Sequence, residues 1–284
     1  MSHRPRLLHL AQNKADPRAW TGAFRAAIAA VGDLQLVEDG DSLSDDDAAQ
    51  LIRDCEVLVT SWGARSVPAS LARDPGDLTY ICHLTGALRQ TIPVDLIESS
   101  IPVTNWGDAQ ARAVAEGAVT LLLASLKSLR PRMQRIAVGD WRPTDDFRAG
   151  MLNRLDLGIY GCGFIGRCFI DMVRPFGPTL RVFDPYIDAV PEGCERVPDL
   201  ETLFDLSHTV AIHAGLSPET EGTVTAQLLA RLPEGGMLIN TGRGAIVDQE
   251  ALFAELETGR LRAGLDVLRP PEELPADHPA RSWP

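Results

Sequence analysis

Three glycines in the run GCGFIG, residues 161–166, stand at the spacing that a bound dinucleotide requires. The first, Gly161, permits a tight turn. Gly163 lets the main chain approach a pyrophosphate, and Gly166 lets a helix pack against its strand. Residues 155–160 form a mostly apolar run suited to that strand, and Phe164, Ile165 and Arg167 begin the segment suited to the helix. A helix N-terminus there offers unpaired N–H groups and partial positive charge to phosphates, and Arg167 is placed to touch the same pyrophosphate. Asp184 comes 21 positions after Gly163, at the end of the next apolar run. A carboxylate at that point accepts from the adenosine ribose hydroxyls and repels a 2′-phosphate, which favours NAD over NADP. Pro185 and Tyr186 follow, with no adjacent arginine to receive that phosphate.

Arg243 lies in NTGRGAIVD, residues 240–248, directly after one strand candidate and before a helix candidate. A guanidinium at the carboxyl end of a strand faces the crevice in which a nicotinamide is expected. Its planar fork matches a carboxylate and can polarise a neighbouring carbonyl. Thr241 and Asp266, also at strand ends, are expected to line the nicotinamide end.

These residues need a scaffold that gathers strand ends. Residues 155–160, 180–183, 209–212, 237–240 and 263–267 read as strands, with helices over 164–176, 200–206, 226–232 and 249–259 between them. Such alternation makes a doubly wound α/β domain whose ligand lies beyond the carboxyl ends of a parallel sheet. The first hundred or so residues alternate similarly, with strands over 7–10, 34–37, 56–60, 78–84 and 103–105 and helices over 20–31 and 45–54. They hold no glycine-rich phosphate loop, so a role other than holding the nucleotide is expected. A helix over 109–127 is apolar on most sides (Val114, Ala118, Leu121, Leu122, Leu123, Leu126). It calls for burial in a core, a domain seam or a subunit contact. The polar segment 130–154 then leads into the second unit.

A chain of 284 residues with 45 % apolar content can fill two cores. A net charge of −12 argues against nucleic acid or another polyanion as partner. The five cysteines, at 55, 82, 162, 168 and 194, lack metal-ligand spacing. No metal site is expected, and the pattern fits a reduced, cytoplasmic protein. The opening MSHRPRLLHLAQ is too polar for a secretion signal. The longest apolar stretch, 117–126, is too short to span a membrane.

Four blocks in order, GCGFIGR with Asp184, HAGLSPET at 213–220, NTGRGAIVD and GLDV at 264–267, resemble the D-isomer-specific 2-hydroxyacid dehydrogenases. VTNWGDAQARAVAEG at 103–117 and GDW at 139–141 agree more loosely and extend the resemblance over nearly the whole chain. It implies a flavodoxin-like substrate domain over 1–104 and a Rossmann NAD-binding domain over 105–284. It implies hydride transfer between NAD(H) and C2 of a small 2-hydroxy or 2-keto acid, by a homodimer joined through the helix near 109–127. The family arginine maps onto Arg243, as carboxylate anchor and carbonyl polariser. The family glutamate, which raises the pKa of a histidine proton donor, maps onto Glu272, with Glu273 as the adjacent choice. The substrate carboxylate is expected on backbone N–H groups of Leu84, Thr85 and Gly86, the glycine allowing close approach. Arg89 departs from the family pattern: it is either a surface residue or a cation that selects a second negative group on the substrate. His213 matches a family histidine that lies beside the cofactor and is not the base. Ala214 and Gly215 replace a proline-bearing stretch there. His83 adjoins the carboxylate loop and could contact substrate, and His278, in ADHP, reads as a loop residue.

The family's catalytic histidine is expected well beyond the glutamate, whereas the sequence stops at Pro284, 12 positions after Glu272. The resemblance therefore implies a chain cut short before one strand and a terminal helix, and slow turnover by this stretch alone. Three alternatives stand beside the dehydrogenase: an NAD-sensing, non-catalytic corepressor-like protein of the same fold, a catalytically dead fragment, and a methyltransferase with a similar glycine loop. No peptide-binding signature supports the first, and the NTGRG block argues against the last.

Overall fold

A computed structural model describes residues 3–17, 20–142, 150–269, 274–281 and 283. Its contacts divide into two units, Met1–Ala109 and Gln110–Pro284. Asn105 and Trp106 stay with the first unit because they are tied to it: Asn105 Nδ2 donates to the Gly86 carbonyl at 2.9 Å, and Trp106 packs edge-on to Trp62.

The first unit runs β1 (Arg6–Leu10), α1 (Gly22–Val31), β2 (Asp33–Val37), α2 (Asp45–Arg53), β3 (Val57–Thr60), β4 (Tyr80–His83), α3 (Val94–Ile97) and β5 (Val103–Thr104). Its sheet is parallel in the order β2-β1-β3-β4-β5, the flavodoxin-like winding. Leu8, Leu10, Leu58 and Ile81 from the strands bury against Ile52, Leu71, Ile92 and Leu96. The start of α2 is written locally: the Ser44 hydroxyl accepts from the Asp47 N–H, and Asp45, Asp46 and Asp47 place negative charge on the first turn.

The second unit opens with α4 (Ala111–Leu126) and α5 (Leu129–Ala137). It continues as β6 (Asp156–Tyr160), α6 (Phe164–Val173), β7 (Thr179–Phe183), β8 (Cys194–Arg196), α7 (Leu200–Asp205), β9 (Thr209–Ile212), α8 (Ala226–Arg231), β10 (Met237–Asn240), α9 (Gln249–Glu257) and β11 (Arg262–Leu265). The sheet is parallel in the order β11-β10-β9-β6-β7-β8, the doubly wound dinucleotide-binding arrangement. Phe169, Ile170 and Val173 of α6 are fully buried with Leu157, Ile159, Leu180 and Val182. Each such side chain contributes about 1.5–3 kcal/mol, so α6 is held firmly against the strands that flank the glycine loop.

Three elements lie outside the sequence expectations: α3, α5 and β8. The expectation for α4 also needs correcting. Ala111, Ala115, Ala118, Leu122 and Leu126 form a single buried stripe, while Arg112, Glu116, Gly117 and Thr120 are exposed. The helix is one-sided, because alanine and glycine read as apolar yet present little surface when exposed. The stripe is satisfied within its own unit, against α6, β10 and β11.

Candidate cofactor and substrate sites

At the carboxyl end of β6 the chain turns through Gly161 at φ +93°, a conformation that strains any residue with a Cβ. A Cβ there would also strike the backbone of Ala214, just past β9. Gly166 is buried one turn into α6, where a Cβ would meet the Gly161 carbonyl. Gly163 is the N-cap of α6 and supplies no side-chain acceptor. The neighbouring helices differ: Asp199, Thr225 and Asp248 cap α7, α8 and α9 by accepting from Thr202, Leu228 and Ala251 N–H groups. The first-turn amides of α6 are therefore left for an outside acceptor, and a Cβ on Gly163 meets no atom within 4 Å. Phe164 and Arg167 are exposed beside this open space, while Ile165 packs partly into the core. The cradle fits a pyrophosphate.

Asp184 follows β7 and joins the two strand ends. Its Oδ2 accepts from the Cys162 N–H at 2.7 Å and its Oδ1 from the Tyr186 N–H at 2.9 Å. The carboxylate thus shapes the glycine loop from the end of β7. Arg196, on β8, was not legible as a neighbour, yet its guanidinium donates to the Asp184 carbonyl at 3.4 Å and the Asp188 carbonyl at 3.1 Å. Only the pairing of β7 with β8 brings it there.

At the other end of the edge, His213 and Thr241 follow β9 and β10. Both are buried, with Thr241 Oγ1 and His213 Nδ1 at 3.3 Å. The His213 ring lies 4.7 Å from that of Phe169, and its Nε2 is buried with no partner among the described residues. Burial pulls its pKa down to about 4, so it is neutral at pH 7 and is no proton donor there. Arg243 leaves β10 half-buried. Asn240 braces the turn, its Nδ2 donating to the Arg243 carbonyl at 3.1 Å and its Oδ1 accepting from the Gly242 N–H at 3.0 Å. The Arg243 Nη1 donates to the Gly242 carbonyl at 2.8 Å, and no carboxylate pairs with this guanidinium among the described residues. Asp266 is exposed just past β11, its N–H bonded to the Asn240 carbonyl at 3.0 Å. Gly244 is in contact with the Leu268–Arg269 backbone, which fixes how the chain leaves β11. Glu272 and Glu273 lie outside the described residues.

The loop expected to hold a carboxylate follows β4 in the first unit. The Leu84 N–H is committed to the Thr60 carbonyl at 2.7 Å. Thr85 is buried, and its hydroxyl meets His83 Nε2 at 2.6 Å, while His83 Nδ1 meets the Thr60 hydroxyl at 2.7 Å. His83 is thus buried beneath the loop with both ring nitrogens engaged, and burial lowers its pKa. Gly86 lies against Trp106, whose Nε1 would be 2.7 Å from a Cβ placed there. Arg89 is exposed, without an ion pair among the described residues. His278 sits in the loop before a 3₁₀ turn, its ring 5.4 Å from Phe253 of α9.

A family model described as D-isomer specific 2-hydroxyacid dehydrogenase, NAD binding domain, matches residues 119–284. The chain belongs to this family. Glyoxylate reductase 1 of Saccharomyces cerevisiae is 28 % identical over 293 residues, covering 94 % of this chain and 80 % of that protein. D-3-phosphoglycerate dehydrogenase of Methanocaldococcus jannaschii is 28 % identical over 263 residues, covering 89 % of this chain; the chain spans 48 % of its length. A solved NADPH-dependent glyoxylate/hydroxypyruvate reductase from Sinorhizobium meliloti superposes with a TM-score of 0.77 at 25 % identity, over 96 % of this chain and 83 % of that one. The matched model is the NAD-binding domain of that family and falls on the second of the chain's two parallel α/β sheets. Among the described residues no helix is long and apolar enough to cross a membrane.

Proposed function

We propose that unit 2 holds NAD(H) on the glycine loop, with Arg243 acting on a 2-keto acid, and that the loop after β4 in unit 1 is a carboxylate-binding loop. The observation that carries this is the Arg243 guanidinium, held at the exit of β10 without a carboxylate partner among the described residues. NADH, when bound, supplies the hydride. The chain's own residues do the rest. The α6 amides receive the pyrophosphate, Asp184 accepts from the ribose, and Thr241, Asp266 and His213 bound the nicotinamide end. His213 serves there as a neutral, buried ring. Arg243 draws electron density from the C2 carbonyl and anchors the carboxylate; within unit 1, the N–H groups of Thr85 and Gly86 are carboxylate donors. Glu272 is proposed, on the family resemblance alone, as the carboxylate that holds a histidine proton donor protonated.

The same reading assigns unit 1 to the substrate and unit 2 to the nucleotide, in a cytoplasmic homodimer. The helix near 109–127 remains the expected contact, and α5 offers a second. Leu129, Met133 and Ile136 recur on one face of it and are exposed, as are Val138 and Trp141. Light scattering that finds only monomer at micromolar concentration would remove the dimer.

Arg243→Ala is the test of the function. It should lower kcat/KM for glyoxylate or hydroxypyruvate by about a thousandfold while leaving NADH affinity within about threefold. A small effect on kcat/KM takes Arg243 out of the reaction.

A further inference from the structure

Strands β3, β4 and β5 are adjacent and parallel, with Thr60 beside His83 and Cys82 beside Thr104. The residues that follow them, Trp62, Gly86 and Trp106, therefore leave the same edge of one sheet within the first unit. Trp62 is 54 % exposed, and its ring meets Trp106 edge-on with centroids 5.5 Å apart. Trp106 in turn lies against Gly86, whose carbonyl is held by Asn105. The loop is pinned from its buried side by the Thr60, His83 and Thr85 hydrogen bonds. A backbone loop offering N–H groups thus has a fixed aromatic wall at its side. Large aromatic surfaces are usually covered, and an edge-on pair presents both a ring face and a ring edge to an apolar guest.

We propose that Trp62 and Trp106 receive the side chain carried on C3 of the substrate, so that this enzyme prefers 2-keto acids with a bulky apolar or aromatic side chain over glyoxylate. This rests on the carboxylate-loop reading above, since a carboxylate on Gly86 directs the rest of the molecule toward whatever flanks that loop. Glyoxylate has nothing to place against the indoles, and hydroxypyruvate has only a small hydroxymethyl group. A pocket that gains several apolar carbons discriminates by about tenfold or more per methylene-sized group.

The test uses the full chain with NADH and two substrates, phenylpyruvate and glyoxylate. Wild type should favour phenylpyruvate by at least about tenfold in kcat/KM. Trp62→Ala should collapse that ratio by about tenfold, mainly through the KM for phenylpyruvate, and Trp62→Phe should keep most of it. Binding of the unreactive partners, D-phenyllactate and glycolate, to the NADH complex gives the same ratio without turnover. A wild-type preference for glyoxylate, or a Trp62→Ala variant that weakens both acids equally, overturns the aromatic wall while leaving the dehydrogenase intact. Failure of both acids to bind or react, with Arg243→Ala indistinguishable from wild type, overturns the underlying reading and the wall with it.

Discussion

The two sheets end in edges built from different materials. In the second unit the edge is main chain: Gly161 turns at positive φ against Ala214, Gly163 leaves α6 uncapped, and Asp184 accepts from one loop amide, Cys162, and from Tyr186 in its own turn. In the first unit the edge is side chain: His83 between two threonine hydroxyls, and Trp106 wedged against Gly86. A nucleotide phosphate needs amides at close range, and only glycine permits that approach. A carboxylate loop can be propped by side chains of many kinds.

That contrast predicts unequal fragility. Gly161→Ala adds one methyl group but forces a strained φ and a backbone collision. It should cost about 4 kcal/mol of stability and abolish detectable NADH binding, read by urea unfolding and fluorescence titration. Retained NADH affinity would mean that the edge is not built on that turn.

Each edge also buries one imidazole, and these should separate in acid. His213 has an orphan Nε2 and a pKa pulled to about 4 by burial, whereas both nitrogens of His83 are partnered. A histidine depressed on folding binds fewer protons in the native state than in the unfolded chain. Its neutral-state contribution is therefore present above about pH 6.5 and is lost as pH falls toward about 4. For His213 the loss is about 3 kcal/mol. Urea unfolding from pH 7 to 4 should show a steep acid limb that His213→Leu flattens. An unchanged limb would place the acid sensitivity elsewhere.

The smallest effect is expected from His83→Asn, which keeps a polar group beside Thr60 but cannot span to Thr85. KM for the 2-keto acid should rise by about tenfold, with kcat and NADH affinity little changed. A fall in kcat with KM constant would give His83 a part in the chemistry instead of in positioning the loop.

The same difference in material explains what could be read before the structure. The glycine loop, Asp184 and Arg243 were legible because each spacing follows from backbone geometry near a strand end. The His83 cluster was not, since Thr60 is 23 positions away and nothing in the local run marks it as a partner. Arg196 was missed for a similar reason: β8 is three residues long, with Glu195 and Arg196 exposed, and carries no apolar alternation. The α5 segment, LRPRMQRIA, reads as a linker because of its charge and its proline. Pro131 in fact occupies the first turn, where its missing N–H costs nothing. Most other elements were placed within a few residues by alternation of apolar runs and turn residues, as with Thr209–Ile212 and Met237–Asn240.

Amide hydrogen exchange resolved to single residues tests the division between the edges most directly. NAD alone should protect the amides of residues 163–167, at the start of α6, and leave Thr85 and Gly86 exchanging as before. Adding oxalate to the NAD complex should then slow Thr85 and Gly86. If NAD protects nothing between residues 161 and 167, the cradle at the end of β6 does not hold the nucleotide and the account fails.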